Sequence, residues 1–325
     1  MRTKNRSRFM SIMLLVSIVG MILAGCGTSK ETMGENKEKA KTDEVRKVTH
    51  AMGETEIQGT PKRVVVLTNE GTEAVLELGV KPVGAVKSGV GETWFPHIVK
   101  KMEGVKELGE EAQPNLEAIA SLKPDLILGN KVRHEKVYTQ LSAIAPTVFS
   151  EDLAGRWKEN FTLYAEALNK AAEGKKAMTA YDKHIADVKK KLGDKINTQV
   201  SLVRFLPTTV RIYQKDTFAG TVLKDVGIAR VPSQDKDNFM EVITEERMKD
   251  MDGDIMFYFN ADYDETKGGT KKQQEWMNHP LYKELNVAKT NNAHQVDEVI
   301  WNLSGGIKAA NLLLDDIVKH KDSMK

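Results

Sequence analysis

Three arginines, Arg133, Arg204 and Arg211, stand where a folded chain could present fixed positive charge to a ligand. Arg133, with Lys131 beside it, follows the apolar run Leu126-Ile127-Leu128 and so falls at the carboxyl end of a strand, where open α/β sheets bind ligands. Arg204 and Arg211 flank a turn at Pro207, near the ends of two neighbouring strands. Arg204 sits among Leu202, Val203 and Phe205, where an unpaired charge is costly, so it must meet either a ligand or a structural carboxylate. A guanidinium is planar, permanently charged and able to donate two parallel hydrogen bonds, which suits oxygen-rich anions. Trp94, in a glycine-flanked loop, and Tyr258 and Asn260, ending the apolar run from Ile255, are further candidate contacts. Trp157 and Trp276 read as core or hinge packing.

Chemistry of other kinds finds little support. The seven histidines are scattered without the paired spacing of a Zn or Mn site, so no metal ligands are expected. No G-x-S-x-G elbow, Walker loop or H-E-x-x-H helix occurs, and catalysis is not expected.

The single cysteine, Cys26, has a different chemistry. It closes Leu23-Ala24-Gly25-Cys26, behind a basic start (Arg2, Lys4, Arg6, Arg8) and an apolar stretch from Phe9 to Leu23. This is secretory signal architecture over residues 1–25, and the four residues match a bacterial lipobox, whose cysteine thiol is acylated with diacylglycerol before cleavage. Cys26 is therefore expected to be a lipid anchor on the extracytoplasmic face of the cell membrane. Residues 1–25 carry four basic and no acidic residues, so 44 basic and 46 acidic residues remain, a net charge near −2. Nucleic-acid binding is not implied.

Residues 26–47 are highly charged and poor in large apolar residues, and are expected to form a flexible stalk, with folded sequence from Val48. Short apolar runs at Val64–Leu67, Lys81–Val86, Leu126–Leu128 and Ala145–Phe149 alternate with helical patterns, which predicts a parallel α/β lobe over 48–155. Residues 156–193 hold the longest helical periodicity, expected to be a bridging helix, interrupted in quality at Asn169 and Gly174. A second α/β lobe is expected over 194–325. Asn115 to Asp125 is echoed by Thr244 to Asp254, each a capped helix leading to Asp and an apolar strand.

The lipobox, the segment NLEAIASLKPDLILG from Asn115, the strand pair VRFLPTTVRIY and the segment Trp301-Asn302-Leu303-Ser304-Gly305-Gly306 together resemble the iron-siderophore substrate-binding lipoproteins of bacterial ABC importers. The resemblance covers the whole chain. It implies two α/β lobes with parallel-rich sheets joined by one long helix, and a ferric siderophore of hydroxamate or citrate-hydroxamate type, such as schizokinen or arthrobactin, bound between them. Iron would be held by the chelator, so no cofactor of the protein's own is expected. Haem, cobalamin or a bare Zn or Mn ion are the alternative cargoes.

The resemblance also implies roles. The Arg133 loop and the Arg204/Arg211 strand pair would contact ligand, and Trp301 would lay an aromatic face on it or pack in the core. Acidic residues near each lobe's tip would dock on a permease whose ATPase subunits lie elsewhere. Glu135 matches the first such position. The second falls at Thr221, a departure that leaves Asp225 or Glu241 as substitutes. A monomer from a Gram-positive source is expected.

Overall fold

The computed structural model describes residues 44–153 and 155–325. Cys26, the signal segment before it and the expected stalk as far as residue 43 lie outside the described residues. The rest of that stalk is folded: Val45–His50 pairs antiparallel with Gly53–Gln58, so ordered chain begins before the expected Val48. Arg46 supplies the reason. Its guanidinium donates to the carbonyls of Glu166 (2.5 Å) and Ala167 (3.1 Å), at the C-terminus of the helix Trp157–Ala167, and to that of Gly59 (3.1 Å). A cation there satisfies orphan carbonyls and opposes the helix dipole.

The architecture is two α/β lobes, each built on a five-stranded sheet. The first runs Lys106–Glu107, Gly84–Ala85, Val64–Val66, Leu126–Asn130, Thr147–Ser150, with every neighbour parallel. Its inner strands are buried throughout, as continuous apolar runs require when both faces are covered. The expected strand Lys81–Val86 shrinks to Gly84–Ala85. Pro82 has no N–H to give a ladder, and a Cβ on Gly84 would come within 2.5 Å of the Leu122 side chain.

In the second sheet Val200–Phe205 pairs parallel with Ile255–Asn260, which pairs parallel with Ala293–Gln295. On the other side Val210–Tyr213 and Met240–Ile243 continue antiparallel. The echo between the halves holds only in part: Leu116–Ser121 is a helix capped by the Asn115 side chain, whereas Glu245–Met251 is a 3₁₀ helix with no capping bond from Thr244, and what the two share is the aspartate that follows. Asp125 accepts from the backbone N–H groups of Lys62 (2.8 Å) and Arg63 (2.9 Å), and Asp254 from that of Gln199 (2.9 Å). In each lobe the aspartate before one strand ties down the start of its neighbour.

The expected single helix over 156–193 is two helices, Trp157–Ala167 and Ala171–Leu192. Asn169 breaks them, with φ of 58° and its amide donating to Thr60 Oγ1 at 2.8 Å. Asparagine tolerates the left-handed conformation that most residues avoid. Gly174 does not break the second helix; a Cβ there would lie 2.6 Å from that of Ala165, so glycine lets the two helices approach. The second helix, roughly 33 Å long at 1.5 Å per residue, buries a stripe of Tyr181, Ile185, Val188 and Leu192. That stripe joins Val64 and Leu128 of the first lobe to Leu202, Phe257 and Leu313 of the second in one continuous core. Burying each such large side chain contributes about 1.5–3 kcal/mol, so the lobes are coupled through the bridge itself.

Candidate functional site

A cavity of about 440 Å³ lies between the lobes, where first-lobe strands end against the second sheet. From the first lobe, Glu70, Glu111, Arg133 and Asp152 line it; from the second, Arg204, Arg211, Tyr213, Phe239 and the stretch Asn302–Gly305. All three arginines singled out by the sequence share this cleft.

Arg133 is placed by the turn after Leu126–Asn130. The Asn130 side chain accepts from the Arg133 N–H at 3.3 Å and caps the short helix Lys131–His134. His134 is fully buried; its Nδ1 accepts from the Asn130 N–H at 3.1 Å, which leaves Nε2 to donate to the Glu111 carbonyl at 2.7 Å. Burial holds this imidazole below its ordinary pKa and so in that neutral form. The contact brings the Glu111 loop to Arg133: Glu111 Oε1 lies 3.2 Å from Arg133 Nε, and Oε2 accepts from the Asn69 backbone (3.1 Å) and side chain (3.0 Å).

Arg204 and Arg211 are Cα partners across the antiparallel strand pair, so they lie on one face. Arg204, 9% exposed, has Glu298 Oε1 at 2.6 Å and donates to the hydroxyls of Tyr213 (3.1 Å) and Tyr263. Tyr263 in turn donates to Glu298 at 3.1 Å. Burial pushes the Glu298 carboxyl up, opposed by the neighbouring guanidinium. Arg211 has no carboxylate partner among the described residues, and its Nε is buried without a hydrogen bond.

Glu70, 5% exposed, accepts from the Asn160 amide at 3.2 Å through Oε2, while Oε1 has no partner. Burial first, then the nearby acids Glu111, Asp152 and Glu73, raise this carboxyl well above its ordinary value. The same burial favours its neutral form in the wall of the cleft.

Other expected contacts belong elsewhere. Trp301 is fully buried, packed on Phe257 with ring centroids 4.8 Å apart and donating from Nε1 to Asp316 at 2.9 Å. It is a core residue; its sequence neighbours Asn302 to Gly305 line the cleft instead. Tyr258 pairs in register with Val203, and Asn260 with Phe205, so the pleat puts both on the sheet face opposite Arg204. There Tyr258 packs on Phe205 and the Asn260 amide donates to Thr270 Oγ1 at 3.1 Å. Trp94 packs beside Leu76, Phe95 and Met102. Lys131 pairs with Glu151 at 3.2 Å and does not line the cavity. Trp157 and Trp276 are both buried.

Among the docking candidates, Glu135 is exposed. Asp225 is committed: its oxygens accept from Lys158 (2.7 and 2.8 Å) and the Tyr181 hydroxyl (3.0 Å), which fasten its helix to the bridge. Glu241 is tied to Lys236, Arg247 and Gln214, whose hydrogen bonds hold its carboxyl down at about 2. The structure favours neither as a free acid.

Sequence reasoning missed Glu70, Glu111, Asp152, Tyr213 and Phe239. Glu70 had a signal, since it follows the apolar strand Val64–Val66 as Arg133 follows Leu126–Asn130. Glu111 and Phe239 lie in polar loops with none.

Ser304 Oγ lies 3.2 Å from His97 Nε2 and donates to Glu73 Oε1 at 2.8 Å. Glu73 Oε1 meets that same imidazole nitrogen. A nucleophilic triad needs acid and hydroxyl on opposite ring nitrogens, so this is a structural latch. Glu73 Oε2 also accepts from the Ala309 N–H at 2.9 Å, joining the lobes. Among the described residues no group of three or more His, Cys, Asp or Glu side chains converges to hold a metal ion.

Comparison with known proteins gives concordant results. A family model described as periplasmic binding protein matches residues 64–298. The probable siderophore-binding lipoprotein YfiY of Bacillus subtilis (strain 168) is 49% identical over 318 residues, covering 95% of this chain and 97% of the relative. The Fe(3+)-citrate-binding protein YfmC of the same organism is 30% identical over 326 residues, covering 98% of each. The crystal structure of Staphylococcus aureus SirA complexed with staphyloferrin B superposes with a TM-score of 0.80 and 36% identity, covering 86% of this chain and 99% of that one.

Proposed function

The chain belongs to the periplasmic binding protein family, and from that premise we propose that it is the extracytoplasmic receptor of an ABC importer, binding a ferric siderophore in the cleft between its lobes. The observation that carries the reading is the Arg204–Arg211 pair facing the cavity that Arg133 lines from the other lobe. Guanidiniums fixed on both walls clamp the negative oxygens of an octahedral ferric chelate, and Tyr213 and Phe239 offer flat surface to its linkers. The ligand class is a hydroxamate or citrate-hydroxamate chelate of the schizokinen or arthrobactin kind.

Cys26 carries the lipid that holds the receptor beside its permease, and Glu135 is the first-lobe acid that meets permease arginines. ATP is hydrolysed by other subunits. The protein itself performs no catalysis and supplies no iron ligand.

Titration of intrinsic tryptophan fluorescence at micromolar ligand tests the reading. Ferric schizokinen is expected to quench the emission saturably, and iron-free schizokinen much less. If ferric hydroxamates leave the emission unchanged while haem or a bare metal ion quenches it, the cargo is different.

A further inference from the structure

Two of the three arginines in the cleft already hold a carboxylate. Arg133 is paired with Glu111 at 3.2 Å and Arg204 with Glu298 at 2.6 Å, whereas Arg211 has no carboxylate partner among the described residues. Both carboxylates are anchored: Glu111 by the backbone and amide of Asn69, Glu298 by the Tyr263 hydroxyl. Neither can swing away at little cost when a ligand arrives. Glu70 adds an unpaired carboxyl oxygen to the same wall, and Asp152 adds a further acid. The site therefore combines three cations with acids of its own, Glu111 lining the cavity and Glu298 paired with Arg204, which lines it.

We propose that Glu111 and Glu298 are specificity-determining residues, which tune the cleft to ferric chelates of low net charge and reject strongly anionic ones. This rests on the ferric-chelate reading above. In a citrate-dihydroxamate complex, two hydroxamates and a doubly deprotonated hydroxycarboxylate leave ferric iron with a single negative charge. In a tris-catecholate, six deprotonated oxygens leave three. The additional negative charge is repelled by Glu111, which lines the cavity, and by Glu298, which pairs with the lining Arg204, a repulsive element of the kind that selective sites use alongside attraction. Arg211 remains as the guanidinium that matches the single charge.

The experiment measures dissociation constants of ferric schizokinen and ferric enterobactin, a tris-catecholate, by fluorescence quenching at low ionic strength for wild type, Glu111→Gln and Glu298→Gln. Shape differences between the two chelates cancel when each variant's ratio is divided by that of wild type. The proposal expects the enterobactin-to-schizokinen ratio of constants to fall at least fivefold in either variant, about 1 kcal/mol, or measurable enterobactin binding to emerge where wild type shows none. Ratios unchanged in Glu111→Gln, whose pair is partly exposed and whose fold is checked by its melting temperature, overturn the filter while leaving the receptor reading intact. Wild type binding neither these nor any other ferric hydroxamate overturns both.

Discussion

Arg204 and Arg211 are directly opposed across one antiparallel strand pair, yet Arg204 is locked to Glu298 and two tyrosines while Arg211 lines the cleft with no carboxylate partner among the described residues. Of two residues of one type on one face, one has its charge matched by a buried carboxylate and the other does not. Arg211→Ala is expected to weaken ferric-chelate binding at least tenfold, about 1.4 kcal/mol, with little change in unfolding midpoint. Arg204→Ala is expected to lower stability as well, by about 3–5 kcal/mol, because it leaves Glu298 buried without its partner. Calorimetric titration and urea unfolding on both variants separate the two outcomes; an unaltered affinity in Arg211→Ala would remove that residue from the site.

Trp301→Phe loses the indole bond to Asp316 and some packing on Phe257. Stability is expected to fall by about 1–3 kcal/mol, with affinity for ferric schizokinen kept within twofold. Chemical denaturation and a binding titration check this, and a large loss of affinity at unchanged stability would return Trp301 to the ligand.

Asp225→Asn breaks the fastening of its helix to Lys158 and Tyr181. It is expected to lower the thermal midpoint without affecting ligand affinity. Glu135→Arg, at an exposed position, is expected to do the reverse of a structural variant: melting and binding stay the same, and siderophore-dependent iron uptake by cells falls. Uptake at wild-type levels in Glu135→Arg would exclude this residue from docking.

Glu70 sets a pH dependence. Its carboxyl is raised in the folded state by burial, so its contribution to stability is fully present below the ordinary value of 4.5 and is lost as pH rises through the higher folded value. Glu70→Gln cannot ionise. Above pH 4.5 its urea midpoint is expected to decline less steeply with rising pH than that of wild type. Parallel midpoints across that range would show that Glu70 keeps an ordinary pKa.

Much of the architecture was legible because it depends on local rules. Apolar runs that begin beside Asp125 and Asp254 become buried strands, Asn115 caps the helix Leu116–Ser121, and Pro207 turns one strand onto the next. The broken bridge was marked by Asn169, whose amide and backbone tolerance suit a helix end. The fold at Val45–Lys47 was not marked, because the carbonyls that hold Arg46 come from a helix more than a hundred residues away.

The sequence by itself determined the two-lobed α/β plan and the arginine positions that reach the cleft, since periodicity, turn residues and strand ends are properties of neighbouring residues. Tertiary structure alone decided which face each strand residue occupies: register with Val203 turned Tyr258 away from the cleft, and register with Arg204 brought Arg211 toward it. It alone decided which charges are spent on partners. Glu111, Glu298 and Asp225 look alike in sequence, and they differ because a Coulombic pair in a low-dielectric cleft depends on distances that close only when remote segments meet.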